Sequence, residues 1–177
     1  AELDEERRGP FQAALLAQQY ALLGDEDACA GWAAQALARG SGGDVALARW
    51  SLGRLDLIRG RAADALARFR EVADVRSGHP IFRLYVLPDL IEAASLVGET
   101  ELATESVLEF ERWGSAGAEI AQAILPRLRG LVAGPGRAGA HYREAVETSA
   151  GRQFEHARAR LLLGRHLRRV RRRVDSR

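Results

Sequence analysis

The chain has 177 residues, of which 47% are hydrophobic and 28% are charged, so it is a globular domain and not a disordered chain. All 26 basic residues are arginine, and the formal net charge of +2 divides into +8 over 152–177 and −6 over the preceding residues. The single cysteine excludes an intrachain disulfide. Neither a signal peptide nor an apolar run of ~18 residues is present, so we expect a cytoplasmic protein without a membrane segment.

The first predicted helix spans about 10–23, with a proline in its first turn, and its partner spans about 25–39. Small residues recur along the partner where two helices would cross, and Cys29 is one of them. We therefore interpret Cys29 as a packed small hydrophobe and not as a nucleophile. A glycine-rich turn follows at 40–43, and Asp44 is predicted to be the N-cap of the next helix.

Two helical segments between 45 and 75 are separated by Gly60, which predicts a left-handed cap at the end of the first segment. Gly53 is predicted to let the two helices approach closely, beside Ala65, where they cross, and Phe69, in the gap that they share. These residues fall at the offsets of the tetratricopeptide repeat, a helix–turn–helix unit of about 34 residues. The remaining helices are placed by comparison with this segment.

The same pattern predicts three further helix pairs, the last of them incomplete. Their helices span about 81–97, 100–113, 118–133, 137–148 and 154–170. Breaks are predicted at 77–80 and 114–117, and Pro88 is predicted to kink or divide its helix because proline lacks a backbone N–H. Pro126 also lies inside a predicted helix, and the partner of the last helix is predicted to begin near Arg173.

The predicted fold is therefore all-α, a tetratricopeptide-like helical-repeat solenoid of about four and a half repeats in a single domain, 1–177. The repeats cover approximately 10–43, 44–79, 80–116, 117–151 and, in part, 152–177. One helix pair cannot bury its apolar face alone, so neighbouring pairs must stack into a continuous core. Because the chain contains no methionine, we also expect a fragment of a larger chain, with its last helix lacking a cover.

In such a solenoid the first helix of each pair lines the inner groove, which is the predicted binding surface. The residues predicted to line it are Gln18, Trp50, Arg54, Tyr85, Glu92, Arg127 and Arg165. Two aromatic rings beside alternating arginine and glutamate suit a polar ligand or a peptide. The alternative interpretation is that Arg54, Glu92 and Arg127 form a ladder of salt bridges between repeats.

No motif of catalysis is found in the sequence, so we predict no enzyme, no metal site and no cofactor. Segment 134–139 matches G-x-G-x-x-G, but that fingerprint needs a preceding strand, and helices are predicted on both sides. A Walker A loop is excluded because the chain has no lysine, and the four histidines lack the spacing of a zinc motif. The basic end, 152–177, is interpreted as the solvated face of a terminal helix, with nucleic-acid binding as the alternative.

Three segments carry a resemblance more specific than the repeat itself. Residues 79–94, 142–145 and 155–173 resemble the repeat region of large ATP-binding LuxR-type transcriptional regulators of actinobacteria, of the maltotriose-activator-like kind. The resemblance covers most of 45–177 and is carried by packing residues, so it transfers no site residue.

The resemblance implies a setting for the chain. Such regulators have an N-terminal P-loop NTPase, a central helical-repeat sensor and a C-terminal helix-turn-helix that binds DNA, and neither flanking domain lies in this sequence. The expected function is non-catalytic sensing that controls those domains through a small-molecule effector, a protein partner or self-association. DNA would be bound only through the domain that this sequence lacks. The alternative is a generic tetratricopeptide scaffold that binds a peptide or a protein.

Overall fold

The computed structural model describes residues 9–74, 80–114 and 119–175. Within these ranges the chain is helical and forms no strand, so the predicted all-α class is confirmed. The helices are α1 (Pro10–Leu23), α2 (Glu26–Arg39), α3 (Gly43–Ile58), α4 (Ala62–Ala73), α5 (Pro80–Val97), α6 (Thr100–Gly114), α7 (Glu119–Val132), α8 (Pro135–Thr148) and α9 (Gln153–Asp175). None of these helices combines the length and the apolar composition that a membrane span requires.

The chain divides into two compact units, Ala1–Gly98 and Glu99–Arg177. In the first unit, each of α1 to α4 packs against the helix that follows it. In addition, α1 packs against α3, and α3 packs against α5. In the second unit, α6 to α9 pack in sequence, and α7 also contacts α9. Contacts two places along the chain therefore join the first helices of successive pairs: α1 with α3, α3 with α5, and α7 with α9.

Local signals explain the ends of the first helix pair. Pro10 begins α1, where its missing N–H costs nothing, and Gly24 ends it with a φ of +72°. The carboxylate of Asp25 then accepts a hydrogen bond from the backbone N–H of Ala28 at 3.1 Å, which caps α2. At the end of α3, Gly60 has a φ of +82°, so the predicted left-handed cap is confirmed.

A glycine and an aromatic ring hold α3 and α4 at close range. A Cβ atom built on Gly53 would lie 2.5 Å from Cε1 of Phe69, so only glycine permits this approach. The ring of Phe69 is fully buried, as the spacing predicts. The second unit repeats the contact between α7 and α8, where a Cβ on Gly130 would lie 2.5 Å from Cε1 of Tyr142. The sequence spacing of Tyr142 repeats that of Phe69, as predicted, whereas its contact with Gly130 was not predicted.

Replacing Gly53 with alanine is expected to destabilise the protein by about 1–3 kcal/mol, because the added methyl group overpacks the Phe69 ring. The effect opposes helix propensity, which favours alanine by about 1 kcal/mol. Gly31 is the matched control, since it is an exposed glycine of α2 with open space around its Cβ position. Urea denaturation should show Gly31→Ala to be stabilising, and a stabilising Gly53→Ala would contradict the packing argument.

Three predicted helix boundaries are wrong. Asp44 is not an N-cap, because α3 already begins at Gly43, and the Asp44 carboxylate accepts a long 3.4 Å hydrogen bond from the Ser41 N–H. The helix predicted for 137–148 begins two residues earlier, at Pro135, because proline is favoured at the first position of a helix. No partner helix begins near Arg173, because α9 continues to Asp175 through a run of arginines that favour helix.

Pro88 and Pro126 lie inside α5 and α7, and neither divides its helix. Both prolines are buried. Their packing against neighbouring helices offsets the one backbone hydrogen bond that each proline removes. Of the predicted breaks at 77–80 and 114–117, Pro80 begins α5 and Gly114 ends α6, and the other residues lie outside the described ranges.

Candidate functional site

Four side chains from two helices meet in the first unit, and we call them the Trp50 cluster. Trp50 and Arg54 lie four residues apart on α3, and Tyr85 and Asp89 lie four residues apart on α5. Residues with this spacing share one face of a helix. Because α3 packs against α5, the two faces meet.

Asp89 is the centre of the Trp50 cluster. Its Oδ2 atom accepts one hydrogen bond from Nε1 of Trp50 at 2.7 Å and another from Nε of Arg54 at 2.8 Å. The Asp89 side chain is only 1% exposed, and that of Arg54 is 16% exposed. The carboxylate has therefore been taken out of water, and these donors compensate its buried charge.

The aromatic rings make the outer part of the cluster. The guanidinium carbon of Arg54 lies 4.4 Å from the centroid of the Trp50 ring, within cation–π range. The ring of Tyr85 is parallel to that of Trp50 within 3°, at a centroid distance of 6.4 Å. Trp50 is 8% exposed, whereas Tyr85 is 47% exposed. Tyr85 thus offers solvent an aromatic surface backed by a buried, charge-compensated pair.

The structure brings together three of the predicted groove residues, Trp50, Arg54 and Tyr85. Glu92, also predicted, is buried on α5, one turn beyond Asp89. Asp89 itself was missed, because alignment of the repeats placed Glu92 at the equivalent position. The spacing of Tyr85, Asp89 and Glu92 along one helical face was the available signal.

The other predicted groove residues do not join this cluster. Gln18 is half-buried on α1 and makes none of the contacts that define the cluster. Arg165 is exposed on α9, in the second unit. Arg127 is 1% exposed, and its Nη2 atom lies 3.0 Å from Oε2 of Glu155. This side chain is therefore buried and presents no open surface.

Two ion pairs join helices in the same way, and they test the alternative prediction of a ladder of salt bridges between repeats. Arg54 on α3 pairs with Asp89 on α5, and Arg127 on α7 pairs with Glu155 on α9. Each pair joins the first helices of two successive helix pairs within one unit. Two arginines of the proposed ladder thus form such bridges, with the acids Asp89 and Glu155, which were not predicted.

Cys29 is fully buried in α2, so its interpretation as a packed small hydrophobe is confirmed. Burial, and secondarily the nearby carboxylate of Asp56, raise the pKa of its thiol from 9.0 to about 11. Asp56 is held in place by hydrogen bonds from Arg61 and Arg68, each 2.8 Å long. A neutral, shielded thiol is a poor nucleophile.

We expect Cys29 to resist alkylation by iodoacetamide at pH 8.5 in the native protein and to react rapidly in urea. The pKa of the thiol is 9.0 in the unfolded chain and about 11 in the folded protein, so this group's contribution to stability is fully present below pH 9. It is lost as the pH rises between these values. Mass spectrometry of the labelled protein checks the first expectation, and equally fast labelling in both states would contradict the burial.

The G-x-G-x-x-G segment lacks the surroundings that a dinucleotide site requires. Gly134 is the N-cap of α8, and the rest of segment 134–139 lies inside that helix. The element before the segment is helix α7, whereas a dinucleotide site needs a strand there. Within the described ranges, no three histidine, cysteine or acidic residues are grouped as metal ligands.

Comparisons of the chain with protein-family models, with curated proteins and with solved structures found no match.

Proposed function

We propose that the chain is a non-catalytic binding module, the sensor or interaction domain of a LuxR-type transcriptional regulator. In this proposal an effector or protein partner binds at the Trp50 cluster and controls ATPase and DNA-binding domains outside this sequence. The observation that carries the proposal is the exposed ring of Tyr85, stacked on a buried Trp50–Arg54–Asp89 arrangement. The regulatory setting rests on the sequence resemblance.

A tetratricopeptide-like arrangement is part of the same proposal. Two observations support it: the packing of α1 on α3 and α3 on α5, and the glycine–aromatic contact that recurs in both units. In a solenoid, contacts between successive first helices determine the rotation of one repeat on the next. Asp89 is such a contact, because it binds α3 from α5.

The Trp50 cluster also has the features of a conformational switch that responds to a ligand. A ligand that stacks on Tyr85 and hydrogen-bonds Arg54 would compete with Asp89 for the guanidinium. That competition would change the fit of α3 against α5, and a small rotation between packed helices is a common way to transmit binding. The cluster contains a flat ring and a planar cation, groups that bind polar ligands with apolar faces.

A generic scaffold that binds a peptide or protein is the second candidate. The Arg54–Asp89 and Arg127–Glu155 pairs favour it, because both join the first helices of two successive helix pairs. If both pairs only join helices, Arg54 is a structural residue and the function lies in the surface as a whole. A small molecule would then have no effect on the chain.

The test is a ligand screen by thermal denaturation, with maltotriose, other sugars and nucleotides as probes. A bound effector should raise the melting temperature, and Tyr85→Ala should remove that rise. Phe11→Ala is the matched control, because Phe11 is an exposed ring on α1, outside the cluster. Trp50→Ala is unsuitable, since Trp50 is buried and its loss would destabilise the fold.

A rise that survives Tyr85→Ala would show that the binding surface lies elsewhere. No rise with any probe, together with capture of a peptide that Tyr85→Ala weakens, would favour the scaffold. Reading the natural gene on both sides of this sequence tests the regulatory setting: a P-loop upstream and a helix-turn-helix downstream are expected.

A further inference from the structure

Helix α5 has two parts that differ in burial. Residues 81–84 are half-buried and Tyr85 is 47% exposed, and we call this segment, 81–85, the outer part. Every residue of 86–94 is buried, and we call this segment the buried part. A segment with few buried contacts opens locally at a lower free-energy cost than the core of a fold. The outer part is therefore the easier of the two to detach.

Pro88 weakens the connection between the two parts. In a regular helix the N–H of residue 88 donates to the carbonyl oxygen of Leu84, in the outer part. Proline has no N–H, and its ring crowds that carbonyl group, so this hydrogen bond is not made. Prolines inside helices are also common sites of bending. The position of Pro88 therefore lets the outer part move without unwinding the buried part.

Half-buried and exposed side chains hold the outer part against α3 and α4. A Cβ atom on Gly43 would lie 3.1 Å from Cε2 of Phe82, so this ring contacts the first turn of α3. Nη1 of Arg83 donates a hydrogen bond of 2.8 Å to the backbone carbonyl oxygen of Ala73, at the end of α4. Tyr85 adds its ring contact with α3. Because none of these three side chains is fully buried, opening would transfer little further surface to water.

The contacts of Asp89 lie in the buried part, beyond Pro88. Its Oδ2 atom accepts the hydrogen bonds of Trp50 and Arg54, and neither bond involves the outer part. Tyr85 is the member of the Trp50 cluster that lies in the outer part. Movement of the outer part would therefore carry Tyr85 away from the indole and leave Asp89 bound to Trp50 and Arg54.

We propose that the outer part is a flap that opens at Pro88 while the rest of the first unit stays folded. In the closed state Trp50 is 8% exposed. Opening removes the Tyr85 ring from beside the indole, so it controls access to Trp50 and to the guanidinium of Arg54. Segments that open and close over binding sites are drawn from the least stable parts of a fold. The flap follows from the packing of α5 alone, so it does not depend on the proposed function or on any ligand.

Amide hydrogen exchange followed by NMR tests the flap without a ligand. In an α-helix the N–H groups of Val86 and Leu87 donate to carbonyls of the outer part, whereas those of 91–94 donate within the buried part. We expect Val86 and Leu87 to exchange at least about tenfold faster than 91–94. Low concentrations of urea should accelerate them less, since a local opening exposes little surface. The indole N–H of Trp50 should behave like 91–94, because Asp89 still binds it when the flap is open.

A matched pair of variants isolates the contribution of the proline. Pro88→Ala restores the missing N–H and should slow exchange at Val86 and Leu87 by about tenfold or more, because alanine is far better than proline inside a helix. Pro126→Ala makes the same change at the buried proline of α7, and it should leave these two amides unchanged.

Three results would overturn the proposal. The first is exchange of Val86 and Leu87 at the rate and with the urea dependence of 91–94, which would show that α5 opens only as a whole. The second is an equal effect of Pro88→Ala and Pro126→Ala on these amides, which would show that Pro88 does not act locally. The third is fast exchange of the Trp50 indole N–H together with the flap, which would show that Asp89 moves with it.

Discussion

Glu155→Ala is expected to lower the free energy of unfolding by about 3–5 kcal/mol, one of the largest effects of any single substitution in this chain. Glu155 pairs at 3.0 Å with Arg127, whose side chain is 1% exposed. Removing the carboxylate leaves a buried guanidinium without this counter-charge, and the cost of holding a cation away from water then falls on the folded state. Urea denaturation monitored by circular dichroism measures the loss.

The control is the pair of Arg129 and Glu111, with side chains 42% and 29% exposed. Glu111→Ala should cost less than about 1 kcal/mol, because water screens and solvates an exposed pair. The double variant Arg127→Met with Glu155→Leu should recover most of the lost stability, since apolar residues of similar volume often replace a buried pair without penalty. Equal costs for Glu155→Ala and Glu111→Ala would contradict the assigned burial.

The second large effect is expected for Asp89→Ala, which should also cost about 3–5 kcal/mol. The substitution removes the one oxygen that accepts from both Nε1 of Trp50 and Nε of Arg54. An indole N–H in a buried position loses its acceptor, and a mostly buried guanidinium loses a counter-charge. The contact between α3 and α5 should loosen, and any ligand of the Trp50 cluster should bind more weakly.

Asp89→Asn separates the two contributions. The amide oxygen can still accept from the indole, but it carries no charge, so the loss of stability should lie between zero and that of alanine. Asp64, exposed in the first turn of α4, is the control, and Asp64→Ala should cost less than about 1 kcal/mol. Tryptophan fluorescence, to which Trp32 and Trp113 also contribute, follows unfolding in the same titration. An Asp89→Ala variant as stable as Asp64→Ala would remove Asp89 from the centre of the cluster.

Much of the local structure could be predicted from particular residues. Pro10, Gly24 and Asp25 act within one turn of the backbone, so the limits of α1 and the start of α2 could be predicted from the sequence. The contact of Gly53 with Phe69 was also predictable, because both residues belong to one helix hairpin whose register the turn at Gly60 defines.

Interactions between hairpins were less predictable. Trp50 contacts both Arg54 and Tyr85, and repeat spacing predicts that these three residues lie together because it brings equivalent helix faces together. Asp89, the acid that joins them, was not identified. Glu92 lies one helical turn away on the same face of α5, so an alignment of the repeats that is shifted by one turn selects Glu92 instead. Arg127 was predicted to line a groove and is buried, because burial depends on which neighbouring helices cover a side chain.

The all-helical class, the helix ends at Gly24, Asp25 and Gly60, and the small residues at which helices cross could be predicted from the sequence alone. These features follow from backbone preferences and side-chain size over a few residues, and they need no distant partner. The pairing of Asp89 with Arg54, and of Glu155 with the buried Arg127, became evident only from the folded structure. Such features depend on distances between residues far apart in the chain, which the packing of whole helices determines.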